Sequence, residues 1–376
     1  MLALLNHTAA DLAKIRHQWR GVLLGAPDSA PTRLVEAAPM AADPGNLRML
    51  YHVPVGLPPR APLVVALHGC TQTAAAYDQG TGWSQLADEH GFAVLFPEQK
   101  RINNAYCCFD WFEPHDAQRD RGEALSIRRM IERMLIEHDL DASRVYVTGL
   151  SAGGAMTSVM LASYPELFAG GAILAGLPYR SATSARQAIS SMAEGPSRSH
   201  GEWGDLVRTA SSHVGPWPLV SVWHGDADTT VAPGNAEEVV KQWIDLHGLE
   251  YAPTAQETID GGATRRVWRD ARGRDAVEIY RVPGLDHAVP IRAGDGRGRY
   301  GAAGPFMADV GISSTWYIAK FWGLTRSRQR QWAVRPAVAA RVAGIAAQIG
   351  GAVRGLGKRA GIGHARGNRP SMPAAR

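Results

Sequence analysis

The sequence predicts an α/β fold in which a mostly parallel central sheet carries helices on both faces. Apolar, strand-like segments alternate with segments of helical periodicity from about residue 48 to residue 325, which is typical of such a sheet. The predicted helices are Trp83–His90, Glu123–His138, Ala152–Tyr164 and Asn235–His247, and predicted strands include Phe92–Phe96 and Gly171–Leu174. Hydrophobic residues make up 45% of the 376-residue chain and charged residues 20%, so the chain can bury a sizeable core.

The second observation behind this fold is the segment Gly149-Leu-Ser151-Ala-Gly153. An apolar strand runs straight into it, and a helix-forming segment follows at once. This is the setting of a nucleophile elbow, the sharp turn that lifts a serine hydroxyl above the sheet of an α/β-hydrolase. The two glycines suit the turn, which leaves no room for a side chain at either position. The pattern therefore predicts an α/β-hydrolase fold with Ser151 as nucleophile, and an ordinary glycine-rich turn is the alternative.

In this fold the acid and then the base follow the serine along the chain. Pro218–Trp223 is predicted to be a buried strand, and Asp228 lies just past its end. Asp226 is the nearby competitor, although its position favours a role in capping the turn. Ala276–Val282 alternates like a strand and leads into a short loop that carries His287. The sequence therefore predicts Asp228 as the triad acid and His287 as the base.

Most of the 13 histidines must have other roles. His68 and His224 each lie at the end of a predicted strand, and we interpret both as structural. Asp286 precedes His287 directly, and adjacent side chains point apart, so it is not expected to be the acid.

The tetrahedral intermediate needs two backbone N–H donors. In this fold one belongs to the residue after the nucleophile, which is Ala152, and the other to the loop after an earlier strand. Ala61–Leu67 is that predicted strand, and the loop His68-Gly-Cys-Thr-Gln follows it. The N–H of Cys70 is the candidate, with that of Thr71 next.

Several further motifs occur in a characteristic order. They include His68-Gly-Cys-Thr-Gln-Thr, Thr81-Gly-Trp-Ser, Phe96-Pro-Glu-Gln, Cys108-Phe-Asp-Trp, Gly149-Leu-Ser-Ala-Gly-Gly-Ala-Met and His224-Gly-Asp-Ala-Asp. Over about residues 45 to 325 the chain resembles the poly(3-hydroxybutyrate) depolymerase family of esterases, which is related to the feruloyl and acetylxylan esterases. The resemblance implies ester hydrolysis by a triad of Ser151, Asp228 and His287. The chain departs from many relatives after His287, where Val289-Pro-Ile-Arg-Ala-Gly stands in place of a tryptophan and a glycine pair.

The resemblance also bears on the three cysteines. In relatives, cysteines at the positions of Cys70 and Cys108 look placed to approach each other. A disulfide there would join the loop of residues 104–111, the Trp111 loop, to the loop of residues 68–72, the oxyanion loop. Cys107 would then be unpaired, and free buried thiols are the alternative. Metal-ligand spacings such as Cys-x-x-Cys are missing from the sequence, so we expect neither a metal nor another cofactor. Trp111, in an irregular loop, and Thr71 are the candidate substrate-binding residues.

The ends of the chain differ in composition from its centre. Residues 326–376 hold eleven lysines or arginines and no acidic residue, so we expect either a solvated tail or a weak anchor for an anionic surface. Aromatic residues do not alternate with these arginines, so we do not expect nucleic-acid binding. Residues 1–46 are predicted to form an N-terminal arm and a linker, and residues 47–325 the catalytic domain. The first fifteen residues lack the pattern of a secretory signal; the resemblance implies an extracellular protein, and a cytoplasmic one is the alternative.

Together these observations predict a serine esterase. Its expected substrate is poly- or oligo(3-hydroxybutyrate), and a feruloyl- or acetylxylan-type carbohydrate ester is the alternative. A catalytically idle protein that binds polyester granules is the rival from another class, and the complete triad argues against it.

Overall fold

The structure is a computed structural model that describes residues 32–325. The strands in this part of the chain are β1 (Val35–Glu36), β2 (Arg48–His52), β3 (Leu63–Leu67), β4 (Ala93–Glu98), β5 (Val145–Leu150), β6 (Gly170–Leu174), β7 (Leu219–Gly225), β8 (Ala255–Thr258), β9 (Thr264–Arg269), β10 (Asp275–Val282), β11 (Val289–Ile291) and β12 (Met307–Asp309). The first ten form one sheet in the order β1-β2-β4-β3-β5-β6-β7-β10-β9-β8, and β11 pairs with β12.

The six central strands of the large sheet, from β4 to β10 in that order, are parallel, and the strands at both edges are antiparallel. Successive side chains of β3 enter two different cores: Leu63 and Val65 pack on one face, and Val64 and Ala66 on the other. Both faces of the sheet are therefore covered, as parallel strands require. This architecture confirms the predicted fold class.

The helices of the described residues cover these faces. They are α1 (Ala74–Thr81), α2 (Trp83–His90), α3 (Gly122–Glu137), α4 (Ala152–Ser163), α5 (Ala185–Glu194), α6 (His200–Arg208), α7 (Gly234–Leu246) and α8 (Ser314–Phe321). The four predicted helices are α2, α3, α4 and α7, each within one residue of its predicted ends. The helices that were not predicted are short, but serine or threonine caps mark their starts; Ser199 and Glu202, for example, form a capping box before α6.

The segment that precedes the predicted catalytic domain contributes to the sheet. Val35–Glu36, which the sequence places in a linker, pairs with β2 as an edge strand, and Leu34 beside it is buried. Residues 1–31 of the N-terminal arm and the whole basic tail lie outside the described residues. Between residues 32 and 325, none of the helices combines the length and apolar character needed to cross a membrane.

Candidate active site

The carboxyl ends of neighbouring parallel strands bring the three predicted triad residues to one edge of the sheet. Ser151 follows β5, Asp228 follows β7 and His287 follows β10. Only β6 separates β5 from β7, and β10 lies directly beside β7. Backbone hydrogen bonds join the loops at this edge: the N–H of Ser151 donates to the carbonyl of Leu174 at 2.9 Å. In open α/β sheets, this edge is where ligands bind.

The turn at Ser151 has the strained geometry of a nucleophile elbow. Ser151 adopts φ 57° and ψ −119°, and α4 begins at the next residue. A Cβ atom on Gly149 would lie 2.4 Å from the carbonyl carbon of Gly153, and one on Gly153 would lie 2.3 Å from the carbonyl oxygen of Leu67. The turn, the helix and β3 can therefore approach this closely only because both residues are glycines.

Gly153→Ala is expected to reduce both stability and turnover. The added Cβ would overlap backbone atoms of β3 and of the oxyanion loop, so the elbow must shift, at a cost of about 1–3 kcal/mol in the free energy of unfolding. Thermal unfolding and hydrolysis of a nitrophenyl ester measure the two effects. Gly201→Ala is the matched control, because a Cβ there meets no atom within 4 Å. Normal turnover of Gly153→Ala would contradict the elbow geometry.

Asp228 and His287 are in direct contact. The Nδ1 atom of His287 lies 2.8 Å from Oδ2 of Asp228, while Oδ1 accepts the backbone N–H groups of Thr230 at 2.9 Å and Val231 at 2.8 Å. A proton on Nδ1 of His287 leaves Nε2 able to accept one. Burial raises the pKa of Asp228, but hydrogen bonds from His224 and His287 outweigh it and bring the pKa below its ordinary value. The contact of this carboxylate with Nδ1 of His287 fits the role of a triad acid.

The two competing carboxylates have other partners. Oδ1 of Asp226 accepts the N–H of Gly284 at 2.6 Å, and Oδ1 of Asp286 accepts the N–H of Thr229 at 3.0 Å. Both hydrogen bonds join the loop after β7, which carries Asp228, to the loop after β10, which carries His287. This geometry favours Asp228 as the acid.

The structure adds one residue that the sequence reasoning did not place in the site. Nε2 of His224, interpreted above as structural, lies 3.1 Å from Oδ2 of Asp228. The same nitrogen lies 2.9 Å from the carbonyl oxygen of Val231. The signal in the sequence is the spacing of four residues between His224 and Asp228. This spacing brings the two side chains together only because the loop after β7 folds back.

The loop after β3 presents the predicted oxyanion donor. The N–H of Gly69 donates to Oε1 of Gln72 at 2.8 Å, and that of Thr71 donates to the carbonyl of Tyr106 at 2.6 Å. Within residues 32–325, the N–H groups of Cys70 and Ala152 have no hydrogen-bond acceptor. The geometry therefore favours Cys70 over Thr71 as the partner of Ala152.

His68, at the start of this loop, has the structural role expected of it. Its Nε2 accepts the N–H of Gln99 at 3.1 Å, and its Nδ1 lies 2.8 Å from the carbonyl oxygen of Gly69. Burial lowers the pKa of His68, so a neutral ring braces the oxyanion loop.

A disulfide joins Cys70 to Cys108, while Cys107 is a free, buried thiol. The side-chain amide of Gln99 donates to the carbonyl of Cys108 at 3.1 Å. This cross-link ties the Trp111 loop to the oxyanion loop, which was one of the two alternatives left open by the sequence.

Trp111 is buried and packs edge-to-face on Phe112, with 5.4 Å between the ring centroids. Both rings line a shallow depression together with Tyr179 and Arg180. Tyr179 follows β6, the neighbour of the strand that carries Ser151. Contact of Trp111 and Thr71 with substrate stays a prediction. In the described part of the chain, no group of three potential ligand side chains is arranged to hold a metal ion.

Comparisons with known proteins agree with this architecture. A family model described as Esterase PHB depolymerase matches residues 48–267. Poly(3-hydroxyalkanoate) depolymerase C of Paucimonas lemoignei is 46% identical over 304 residues, which cover 81% of this chain and 73% of that protein. Acetylxylan esterase A of Emericella nidulans is 34% identical over 72% of this chain and 90% of its own length.

Among solved structures, the acetyl xylan esterase from Aspergillus awamori superposes with a TM-score of 0.66 at 25% identity, covering 78% of this chain and 99% of that one. The family-model match, residues 48–267, includes the elbow, the oxyanion loop and the Trp111 loop. The chain therefore belongs to the Esterase PHB depolymerase family and is a carboxylic ester hydrolase.

Proposed function

We propose that the protein hydrolyses the ester bonds of poly- or oligo(3-hydroxybutyrate) with Ser151, His287 and Asp228 as its catalytic triad. The contact between His287 and Asp228, at the sheet edge that also carries the Ser151 elbow, is the observation that supports the chemistry. The substrate is inferred from the relatives: identity is 46% to a poly(3-hydroxyalkanoate) depolymerase and 34% to a feruloyl esterase B.

In the proposed reaction, the Ser151 hydroxyl oxygen attacks the ester carbonyl while Nε2 of His287 takes its proton. The oxyanion that forms accepts the N–H groups of Cys70 and Ala152. Collapse of the intermediate breaks the ester C–O bond, and His287 returns the proton to the departing alcohol oxygen. Water then attacks the acyl-enzyme by the same route and releases the acid. Asp228 fixes the Nδ1–H tautomer throughout and stabilises the imidazolium.

A panel of substrates tests this proposal. The purified protein is assayed on a nitrophenyl ester, hydroxybutyrate oligomers, polymer film, and feruloyl or acetyl sugars. We expect the highest kcat/KM on the hydroxybutyrate oligomers. A preference for the sugar esters would assign the carbohydrate-esterase alternative, and adsorption to film without hydrolysis of any ester would indicate the idle granule-binding protein.

The basic tail, residues 326–376, lies outside the described residues, and its role is a separate proposal. We infer that it contributes weak attraction to anionic surfaces, because it carries eleven positive charges and no acid. Deletion of residues 327–376 is expected to leave hydrolysis of soluble esters nearly unchanged and to weaken adsorption to anionic liposomes at low salt. Added salt should weaken adsorption of the full chain in the same way. Equal adsorption of both forms at low salt would refute the attraction.

We also infer that the protein works outside the cytoplasm. Disulfides such as that between Cys70 and Cys108 persist in oxidising compartments. Fractionation of the source cells, with thiol labelling of the protein, tests this: Cys70 and Cys108 should resist alkylation in the extracellular fraction, and a reduced cytoplasmic pool would contradict the inference.

A further inference from the structure

We propose that His224 is a positioning residue for the catalytic carboxylate, and that its Nε2–H group holds Asp228 in the orientation in which it bonds His287. The inference rests on the triad proposed above and assigns a role to a second imidazole. The His224 side chain is 1% exposed, so it acts through Asp228 and does not touch substrate.

The hydrogen bonds of Asp228 carry the first step of the argument. Its Oδ2 atom lies between two imidazole nitrogens, at 2.8 Å from Nδ1 of His287 and 3.1 Å from Nε2 of His224. Its Oδ1 atom accepts the N–H groups of Thr230 and Val231. An ionised carboxylate offers about four lone-pair sites, and these four donors match them. The loop backbone fixes one oxygen, and the two imidazoles fix the other.

The tautomer of His224 follows from its surroundings. Nε2 faces two acceptors, the Asp228 carboxylate and the carbonyl oxygen of Val231 at 2.9 Å, so it carries the proton and shares it between them. Nδ1 is buried and has no hydrogen-bond partner within residues 32–325. A second proton on Nδ1 would place a buried charge where no acceptor stands, which is costly. His224 is therefore a fixed neutral donor rather than a second base.

The other ionisable groups on the loops after β7 and β10 do not hold the Asp228 carboxylate in place. Oδ1 of Asp226 accepts the N–H of Gly284, and Oδ1 of Asp286 accepts the N–H of Thr229, so both carboxylates are engaged by backbone groups of the opposite loop. Among the residues that the structure describes, loss of the His224 donor would leave Oδ2 with His287 as its one side-chain partner. The carboxylate would then rotate more freely and would present more of its charge to the His287 ring.

Two variants separate a donor role from simple packing. His224→Leu has a similar volume and no donor, whereas the amide of His224→Gln places an N–H group near the Nε2 position. Kinetics on a soluble nitrophenyl ester are measured across pH. We expect the Leu variant to lose roughly ten- to hundredfold in kcat, the effect of one hydrogen bond to a charged group, with KM unchanged. The acidic limb of its kcat/KM profile should move to higher pH, since the less-bonded carboxylate holds the proton on His287 more strongly.

His224→Gln should recover most of kcat and the original pH profile. His247→Leu is the matched control: it removes another largely buried imidazole, whose Nε2 lies 2.9 Å from the carbonyl oxygen of Pro218, at the opposite end of β7 from Asp228. It should leave kcat and the pH profile unchanged.

A wild-type kcat and pH profile for His224→Leu would overturn the proposal, and so would a Gln variant as impaired as the Leu variant. If thermal unfolding shows that the Leu variant does not fold, His224→Gln is compared with His224→Asn, whose shorter amide cannot reach Asp228. The proposal then predicts a higher kcat for the Gln variant, and equal kcat values would overturn it. Asp228→Asn keeps the two proposals distinct: its full activity would refute the triad itself, whereas an inactive Asp228→Asn beside a normal His224→Leu would refute only the positioning role.

Discussion

Replacing Ser151 with alanine is expected to abolish ester hydrolysis while the fold stays intact. The elbow places this hydroxyl at the carboxyl edge of the sheet, between the strand ends that carry the oxyanion donors and the Asp228–His287 pair. Without it no acyl-enzyme can form, and loss of the nucleophile in a serine-hydrolase triad costs roughly six orders of magnitude in kcat. The measurement is turnover of a nitrophenyl ester and of hydroxybutyrate oligomers.

A serine in the helix that follows the elbow provides the control. Ser163 lies at the far end of α4, is fully buried, and its hydroxyl has no hydrogen-bond partner within residues 32–325. Ser163→Ala should therefore keep wild-type kcat, and both variants should unfold at similar temperatures. Retention of more than about a tenth of wild-type turnover by Ser151→Ala would exclude Ser151 as the nucleophile.

Asp228→Asn is expected to reduce kcat by about four orders of magnitude, the cost of this substitution in a serine-protease triad. The N–H groups of Thr230 and Val231 select the amide oxygen for the Oδ1 position. The amide nitrogen then faces Nδ1 of His287, which must become an acceptor, and the proton moves to Nε2. In that tautomer His287 cannot accept the proton of Ser151.

Asp226→Asn is the comparison variant, because its side-chain oxygen can still accept the N–H of Gly284. It should change kcat little. Equal kinetics for the two variants would remove Asp228 from the triad, and a large loss confined to Asp226→Asn would transfer the role of the acid to that residue.

The features that the sequence predicts well are those set by local pattern. The elbow depends on a strand, two glycines and a helix in immediate succession, so Gly149 and Gly153 are recognisable before the fold is known. The order of the acid and the base follows from strands that end at one edge of a parallel sheet, which places Asp228 and His287 by chain order alone. Helices α2, α3, α4 and α7 follow from periodicity and are predicted to within one residue.

What the sequence did not predict depends on contacts between distant segments. The sequence leaves Thr71 as an alternative oxyanion donor. In the structure its N–H donates to the carbonyl of Tyr106, 35 residues further along the chain, and no local pattern indicates that contact. The edge strand at Val35–Glu36 consists of two exposed residues, too few for any alternation to show. His224 looked structural because its contact with Asp228 arises only when the loop after β7 turns back on itself.

The disulfide was left open for the same reason. Cys70 and Cys108 are 38 residues apart, and their approach depends on how the loop after β4 folds over the oxyanion loop. Family resemblance indicated the pairing, but composition and spacing did not.

The most direct test of the account is to locate the covalent intermediate. The intact protein is treated with a fluorophosphonate, which reacts with activated serine hydroxyls, and the modified peptide is identified by mass spectrometry. The account predicts one adduct per chain, on Ser151, formed in step with the loss of hydroxybutyrate-ester hydrolysis and absent in Ser151→Ala. An adduct on another residue, or full hydrolysis by the labelled protein, would contradict it.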